Sequence, residues 1–226
     1  MPLEPADETT DGPSNVMVDE TQIARSKSIQ QRTGKTFHVA TRLLPKRIRE
    51  ATYVLYAFFR VADEVVDNAD GTTPDEQRAE LDRIRTAALG ERETDDPVLA
   101  AFSELREEYN IDPADVETFV DAMESDIDTA RYETYDELEA YMDGSASAVG
   151  RMMTAVMDPN EPERALPHAT ALGEAFQLTN FLRDVREDIV ERDRIYLPQT
   201  TLARHGVANA QLKRFEMDAN FEAVMQ

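Results

Sequence analysis

Four polar residues in the stretch from Gln177 to Asp188 (QLTNFLRDVRED) have the spacing to bind a cation. On a helix with about 100° per residue, Gln177, Asn180, Asp184 and Asp188 fall within a stripe roughly 80° wide. Asp184 and Asp188 are one turn apart, and carboxylates that close repel each other unless a cation lies between them. Oxygen ligands suit Mg²⁺ rather than zinc. The stretch therefore predicts half of a magnesium site.

A second stripe of the same kind lies upstream, in residues 53–67 (YVLYAFFRVADEVVD). Tyr56, Arg60, Asp63 and Asp67 share one face of a helix there, and apolar residues surround them. Two such helices could face one another and hold Mg²⁺ ions that bind a diphosphate. Arg60 is then a direct partner for the diphosphate oxygens.

Chance alone gives many acid pairs at this spacing, because 46 of the 226 residues are Asp or Glu. Roughly nine pairs four residues apart are expected at random, and most such pairs are solvated helix faces. The two stripes differ because they lie in the longest apolar-rich helical patterns of the chain, where an unpaired carboxylate is costly. From the residues alone, both the metal site and the solvated face stay open.

Composition excludes several other kinds of site. The chain has no cysteine and three histidines, so thiolate catalysis and Cys-based zinc sites are excluded. No HExxH or GxSxG motif is present. The net charge of −22 argues against nucleic acid as a partner. Arginine outnumbers lysine 20 to 4, which in so acidic a chain suggests a salt-adapted organism.

The sequence predicts an all-α protein with two parts. Residues 1–20, rich in acid, Pro, Thr and Gly, predict a disordered tail, and residues 21–226 predict one domain. The N-terminus has no apolar leader, and the uncharged run Ala51 to Phe59 is too short to span a bilayer. We therefore expect a cytoplasmic protein.

Local capping signals predict the starts of four helices. They are Thr73 with Pro74, Asp96 with Pro97, Asp112 with Pro113, and Thr134 with Glu137. The last of these helices should continue to about Met157. It contains Gly144 and Gly150, which favour close helix packing over room for a bulky ligand. A further long helix is expected from about Pro167 to Asp193, carrying the first stripe.

Four segments, in order, resemble the squalene/phytoene synthases, the head-to-head members of the all-α isoprenoid synthase fold. They are KTFHVATRLLP from Lys35, YAFFRVADEVVD from Tyr56, YMDGSASAVGRMM from Tyr141, and QLTNFLRDVREDIVERDRIYLP from Gln177. Together they span most of the chain, and the RDVRED and GSASAVG forms are more similar to phytoene synthases than to squalene synthases.

The resemblance implies roles for eleven residues. Asp63, Asp67, Asp184 and Asp188, with Asn180, would hold Mg²⁺ (or Mn²⁺) that bridges substrate diphosphates, and these aspartates and Tyr141 would be catalytic. Lys35, Arg60 and Arg183 would bind diphosphate oxygens, although a structural salt bridge is an alternative for Arg183. Gln177, Tyr141 and Tyr196 would line the cavity.

The implied reaction joins two geranylgeranyl diphosphates through prephytoene diphosphate to phytoene, a carotenoid precursor, without NADPH. Prenyl diphosphates are the implied partners. The long product and the hydrophobic substrate imply peripheral contact with a membrane. The alternatives are a squalene or dehydrosqualene synthase using farnesyl diphosphate, and a non-catalytic relative acting as a scaffold. Head-to-tail elongases are disfavoured because DEVVD and DVRED do not fit their DDxxD motif.

The sequence departs from the family pattern in two places. Gly34 stands where the family often has serine before the lysine of its first motif, so one phosphate contact is expected to be missing. Family members also continue through further C-terminal helices that close the cavity. The resemblance therefore implies that the chain is shortened after Gln226.

Overall fold

The structure, a computed structural model, describes residues 18–67 and 71–225, and within them it is all-α. The predicted tail at residues 1–20 lies almost entirely outside the described residues. The helices are α1 Glu20–Thr33, α2 Lys35–Thr41, α3 Lys46–Asp67, α4 Pro74–Ala88, α5 Pro97–Glu108, α6 Pro113–Ser125, α7 Tyr135–Met142, α8 Ala148–Met157, α9 Pro162–Arg183, α10 Val185–Arg192, α11 Gln199–Arg204, α12 Asn209–Lys213 and α13 Ala219–Val224. Arg131 and Ile195 form an isolated parallel bridge, and no strand occurs in the described residues.

Helix α3 lies at the centre of the main core. Its buried residues recur at helical spacing, so one face packs against α1, α5 and α6 while the neighbouring stripe stays polar. Phe58 is fully buried and stacks on Phe102 of α5 with ring centroids 3.8 Å apart. This packing fixes the helix that carries the first aspartate pair.

The four predicted caps are confirmed. The side chains of Thr73, Asp96, Asp112 and Thr134 each accept a hydrogen bond from a backbone N–H in the first turn of α4, α5, α6 and α7. These signals are local, since a cap needs only its own first turn. None of the helices in the described ranges is long and apolar enough to cross a bilayer.

The glycine-containing helix is interrupted, contrary to the prediction of one helix to Met157. A π-helical turn, Asp143–Ser147, separates α7 from α8. A Cβ on Gly144 would lie 2.4 Å from the carbonyl oxygen of Thr118, and one on Gly150 would lie 2.6 Å from that of Ala169. Both glycines therefore allow close helix packing, which confirms the preferred interpretation.

The last long helix also differs from its prediction. It begins at Pro162, so Pro167 lies inside α9 and does not start it. Proline fits the first helical position because its missing N–H needs no partner there, and Pro162 takes that position. The helix then breaks at Asp184, which has φ −101° and ψ 10°. The expected single helix to Asp193 is therefore two helices, α9 and α10.

A second, smaller core lies C-terminal to the break. Its buried members are Ile189, Ile195, Leu197, Leu202, Val207, Leu212 and Phe221. The C-terminal end of the chain forms two short helices, α12 and α13, because Phe215 between them has a positive φ of 55° that ends the helical run. Backbone hydrogen bonds from Ile195 to Ala130 and from Gln199 to Tyr132 attach this core to the main one.

Candidate active site

The first aspartate motif lies on α3, as predicted. Arg60 forms an ion pair with Asp63 one turn away, and its Nε lies 3.4 Å from Glu64. Arg60 therefore already has carboxylate partners, which a diphosphate would have to replace. Asp67, in the last turn of α3, has its main partners on another part of the chain.

The second motif spans the break between α9 and α10. Gln177 and Asn180 lie in the last two turns of α9, Asp184 lies at the junction, and Asp188 is buried in the first turn of α10. Arg183 donates from Nε to Asp184 at 2.7 Å, while two thirds of its side chain stays exposed. The salt bridge considered for Arg183 is therefore present.

Arg192, at the end of α10, joins the two motifs. Its Nε and Nη2 donate to the two carboxylate oxygens of Asp67 at 2.9 and 3.1 Å, and its Nη1 lies 3.4 Å from Asp188. The two predicted aspartate stripes therefore do face each other. Sequence analysis missed Arg192, although it lies one turn after Asp188 and so extends the predicted stripe.

A buried polar cluster lies behind Asp67. Arg194, 7% exposed, lies 3.5 Å from Asp67 and 3.6 Å from the Asp126 carboxylate, and it donates to the Asp126 carbonyl at 2.9 Å. Tyr141 donates its hydroxyl proton to Asp126 at 2.9 Å. Asp126 and Arg194 were also missed, because their partners lie far away in the sequence.

A cavity of about 230 Å³ opens beside the first motif. The Arg60–Asp63 ion pair makes one part of its lining polar, Gln177 adds an amide, and the rest is mostly apolar. Its lining residues are Tyr56, Phe59, Arg60, Asp63, Phe119, Met123, Tyr141, Ser145, Val149 and Gln177. The structure thus brings together four of the predicted site residues. Such a cavity can hold a charged group beside its polar part and hydrocarbon against the rest.

Tyr196 and Lys35 lie outside the lining of this cavity. The Tyr196 ring stacks on Phe181 at 4.1 Å and lies 5.8 Å from Tyr141, so it supports Tyr141 from behind. Lys35 is exposed at the start of α2. Gly34 before it has a packing role, because a Cβ there would lie 2.6 Å from the Tyr56 hydroxyl.

Burial shifts the acid–base properties of the site. Burial, helped by the charge of Asp67, raises the pKa of Asp63 to about 6. Burial also raises the pKa of Asp188 to about 6, against the opposing effect of Arg192. The buried Tyr141 has a pKa well above its ordinary value and stays a neutral phenol. Carboxylates whose charge is disfavoured in this way gain from a nearby cation.

The aspartates can bind Mg²⁺ only when other ligands complete its coordination. Within residues 18–67 and 71–225, no three carboxylate or histidine side chains lie close enough together to hold an ion by themselves. Mg²⁺ is usually bound by one or two carboxylates, with water and substrate phosphates as its other ligands. Asp63 lines the cavity, whereas Asp67, Asp184 and Asp188 lie outside its lining, so a diphosphate would have to complete the ligands of any Mg²⁺ bound there.

Comparison with known proteins identifies the family of this chain. The family model for squalene/phytoene synthase matches residues 30–226. The chain belongs to the squalene/phytoene synthase family. It is 36% identical to the phytoene synthase of Cereibacter sphaeroides over 185 residues, which cover 78% of this chain and 52% of that relative. It is 38% identical to the presqualene diphosphate synthase of Rhodopseudomonas palustris, over 77% of this chain and 62% of that relative.

A solved structure of this family carries the same fold. A dehydrosqualene synthase crystallised with a ligand superposes with a TM-score of 0.79 and 31% identity, covering 90% of this chain and 70% of that one. The all-α isoprenoid synthase architecture is thereby confirmed for this family member. The chain spans about half to two thirds of the length of the curated relatives named above.

Proposed function

We propose that this family member is a prenyltransferase that condenses two geranylgeranyl diphosphates head to head, through prephytoene diphosphate, to phytoene. The observation that carries the proposal is that Arg192 joins Asp67 of the first motif to Asp188 of the second, while Arg60 and Asp63 of the first motif line a mostly apolar cavity. The similarity to phytoene synthases supports this choice of product.

The polar part of the cavity lining would bind the diphosphate. Arg60 lies there and would exchange its contact with Asp63 for phosphate oxygens. Mg²⁺ held by Asp63, Asp67, Asp184 and Asp188 would supply the charge that stabilises the departing diphosphate. Mn²⁺ is expected to substitute for it.

The apolar walls would protect the carbocation left after diphosphate departs. Phe59, Phe119, Met123 and Val149 line the cavity and would exclude water from around a bound hydrocarbon chain. Tyr141 stays a neutral phenol, held by Asp126, and can offer its electron-rich ring to a cationic carbon. Each of the two steps releases one diphosphate and one proton, so no hydride donor and no NADPH is required.

A second candidate is a synthase that uses farnesyl diphosphate to make a squalene-type product. The observations that favour it are the 31% identity to a dehydrosqualene synthase and the 38% identity to a presqualene diphosphate synthase. The same residues would perform the same ionisation on a shorter chain. Prenyl diphosphates are the partners in both cases, with peripheral contact to a membrane for the greasy product and no nucleic acid.

The experiment that tests the proposal is a product analysis. The protein is incubated at high salt with Mg²⁺ and either farnesyl or geranylgeranyl diphosphate, with and without NADPH, and the extracted hydrocarbon is identified. High salt is chosen because the net charge of −22 repels an anionic substrate unless it is screened. We expect phytoene from geranylgeranyl diphosphate alone.

The other outcomes separate the alternatives. A hydrocarbon made only from farnesyl diphosphate would replace phytoene with a squalene-type product and keep the mechanism. No product from either substrate, with this chain and also with a version extended at its C-terminus, would overturn the prenyltransferase proposal and leave the non-catalytic scaffold. Asp63→Asn serves as the control and should make no product. If this variant forms product at the wild-type rate, the reaction does not take place at this site.

A further inference from the structure

Arg192 contacts one aspartate of each motif. Its guanidinium forms two parallel hydrogen bonds to Asp67, at 2.9 and 3.1 Å, and it lies 3.4 Å from both Asp188 and Glu187. Asp67 and Arg192 are 125 residues apart in the sequence. This one side chain therefore ties the end of α3 to α10.

The position of the guanidinium has an electrostatic cause. Asp67 and Asp188 are mostly buried, with side chains 12% and 13% exposed, and their negative charges face the same small region. Carboxylates placed in this way repel one another unless a positive charge lies between them. Arg192 supplies that charge with the planar, bidentate geometry that suits a carboxylate.

Arg194 also lies close to Asp67, but it is more buried than Arg192 and has more partners in the core. It is 7% exposed, and it is also bound to the Asp126 carbonyl and carboxylate. The Arg192 side chain is 23% exposed and ends α10, directly before Asp193, which has a positive φ of 50°. Arg192 can therefore move towards solvent, where Glu187 remains a partner, while Arg194 cannot.

We infer that Arg192 is an internal counterion of the two aspartate motifs, which holds them together without metal and leaves Asp67 and Asp188 when Mg²⁺ binds. This positioning role rests on the proposed function, since it concerns the same metal site. A guanidinium and a divalent cation repel each other at such distances, so only one of them can neutralise these carboxylates at a time.

The test measures thermal stability as a function of Mg²⁺ concentration, with inorganic diphosphate at a fixed concentration in every sample and no prenyl substrate. The melting temperatures of the wild type and Arg192→Gln are recorded in EDTA and along a MgCl₂ series in which NaCl keeps the ionic strength constant. A ligand that binds only the folded state raises the melting temperature in proportion to its affinity. The Mg²⁺ concentration at half of the maximal rise is compared between variants.

Arg151→Gln is the matched control. The Arg151 side chain is 24% exposed and also bridges two aspartates, Asp115 and Asp143, away from the site. Both variants should melt earlier than the wild type in EDTA, because each leaves two carboxylates without their shared cation. Only Arg192→Gln should recover with Mg²⁺, and its half-maximal concentration should be lower by about threefold or more.

The inference is overturned if Arg192→Gln needs as much Mg²⁺ as the wild type, or more. If that variant does not fold, as judged by its helical circular dichroism, Arg192→Lys replaces it. Arg192→Lys keeps the charge but loses the bidentate contact, so it should shift the half-maximal concentration in the same direction by a smaller factor.

A wild-type melting temperature that does not change with Mg²⁺ concentration would also overturn the inference. The product analysis then tests the proposed function separately. Phytoene formed by a protein whose melting temperature does not change with Mg²⁺ would support the proposed reaction and contradict only the proposed metal site. A normal Mg²⁺ response of the wild type with an unshifted Arg192→Gln would remove the counterion alone.

Discussion

The two helical segments that carry the aspartates are held in place by different forces. Helix α3 runs unbroken for 22 residues, and nine of them are buried in the main core. Helix α9 has the same length, but Phe181 is its only buried residue, and Leu172, Phe176 and Leu182 are exposed on it. Apolar packing therefore fixes the first motif.

The second motif relies more on charge, although α9 packs its backbone closely on α8 and on the π-helical turn. Arg183 binds Asp184, Arg192 binds Asp67 and Asp188, and Arg194 ties the segment after α10 to Asp126. Substitutions that leave a cavity in the core should therefore disturb the first motif most. Substitutions that remove a charge should disturb the second motif most. Four substitutions test this contrast.

Asp63→Asn should remove activity and leave the fold intact. Loss of an outer-shell partner of a metal already costs about 10- to 100-fold, so loss of a direct ligand should exceed that. Because burial raises the pKa of Asp63 to about 6, its charged form costs folding energy at neutral pH, and a neutral amide relieves this cost. We expect turnover below detection and an unchanged or slightly higher melting temperature. Wild-type turnover would remove Asp63 from the site.

Phe58→Ala should lower the free energy of unfolding by about 3–5 kcal/mol, because it leaves a cavity beneath the first motif against Phe102. Denaturant unfolding at high salt measures this loss. Phe176→Ala is the control on α9, where the side chain is 64% exposed and its removal should change the free energy by less than about 0.5 kcal/mol. Equal losses in the two variants would contradict the contrast between the helices.

Arg194→Met should destabilise the protein in a pH-dependent manner. Burial raises the pKa of Asp126 to about 7, while Arg194 opposes that rise. The folded protein therefore keeps a proton that the unfolded chain loses near 3.8, and this stabilising contribution fades as the pH rises towards 7. At pH 8 Asp126 is ionised and needs Arg194, so the variant should lose about 3 kcal/mol.

At pH 5.5 the loss should be smaller, because Asp126 is then protonated in both proteins and does not pair with Arg194 as an ion. Unfolding curves at the two pH values measure the difference. Arg78→Met is the control, since its partners Asp75 and Asp128 are both exposed and the loss there should be small at both pH values. A loss independent of pH would show that Arg194 acts through Asp67 or through packing.

The part of this organisation that sequence could predict is the part with local causes. Caps such as Thr73 were found because the signal lies within four residues. The stripe on α3 was predicted because that helix keeps one period from Tyr56 to Asp67. The break at Asp184 and the π-helical turn at Asp143–Ser147 were not found, because contacts with other helices decide them.

The arginines that join the motifs were missed for a related reason. Arg194 reaches a residue 68 positions away, and Arg192 one 125 positions away. With 20 arginines and 46 acidic residues, no local pattern selects these pairs. The roles of the predicted site residues stay predictions, and the geometry adds Arg192, Arg194 and Asp126 to them.

Arg183→Gln should have the smallest effect of the four, and it decides between the two roles considered for this residue. The side chain is 66% exposed and pairs with its neighbour Asp184, which holds it at the mouth of the site without fixing it to the core. Exposed pairs of this kind contribute little to stability, so the melting temperature should stay the same.

If Arg183 also binds diphosphate, the charge-assisted contact is lost and KM should rise by about tenfold with little change in kcat. Arg164→Gln, which removes an exposed pair with Glu161 at the start of α9, is the control and should leave both constants unchanged. An unchanged KM in Arg183→Gln would assign the residue to the salt bridge alone, and diphosphate binding would then rest on Arg60, on the helix that the core holds in place.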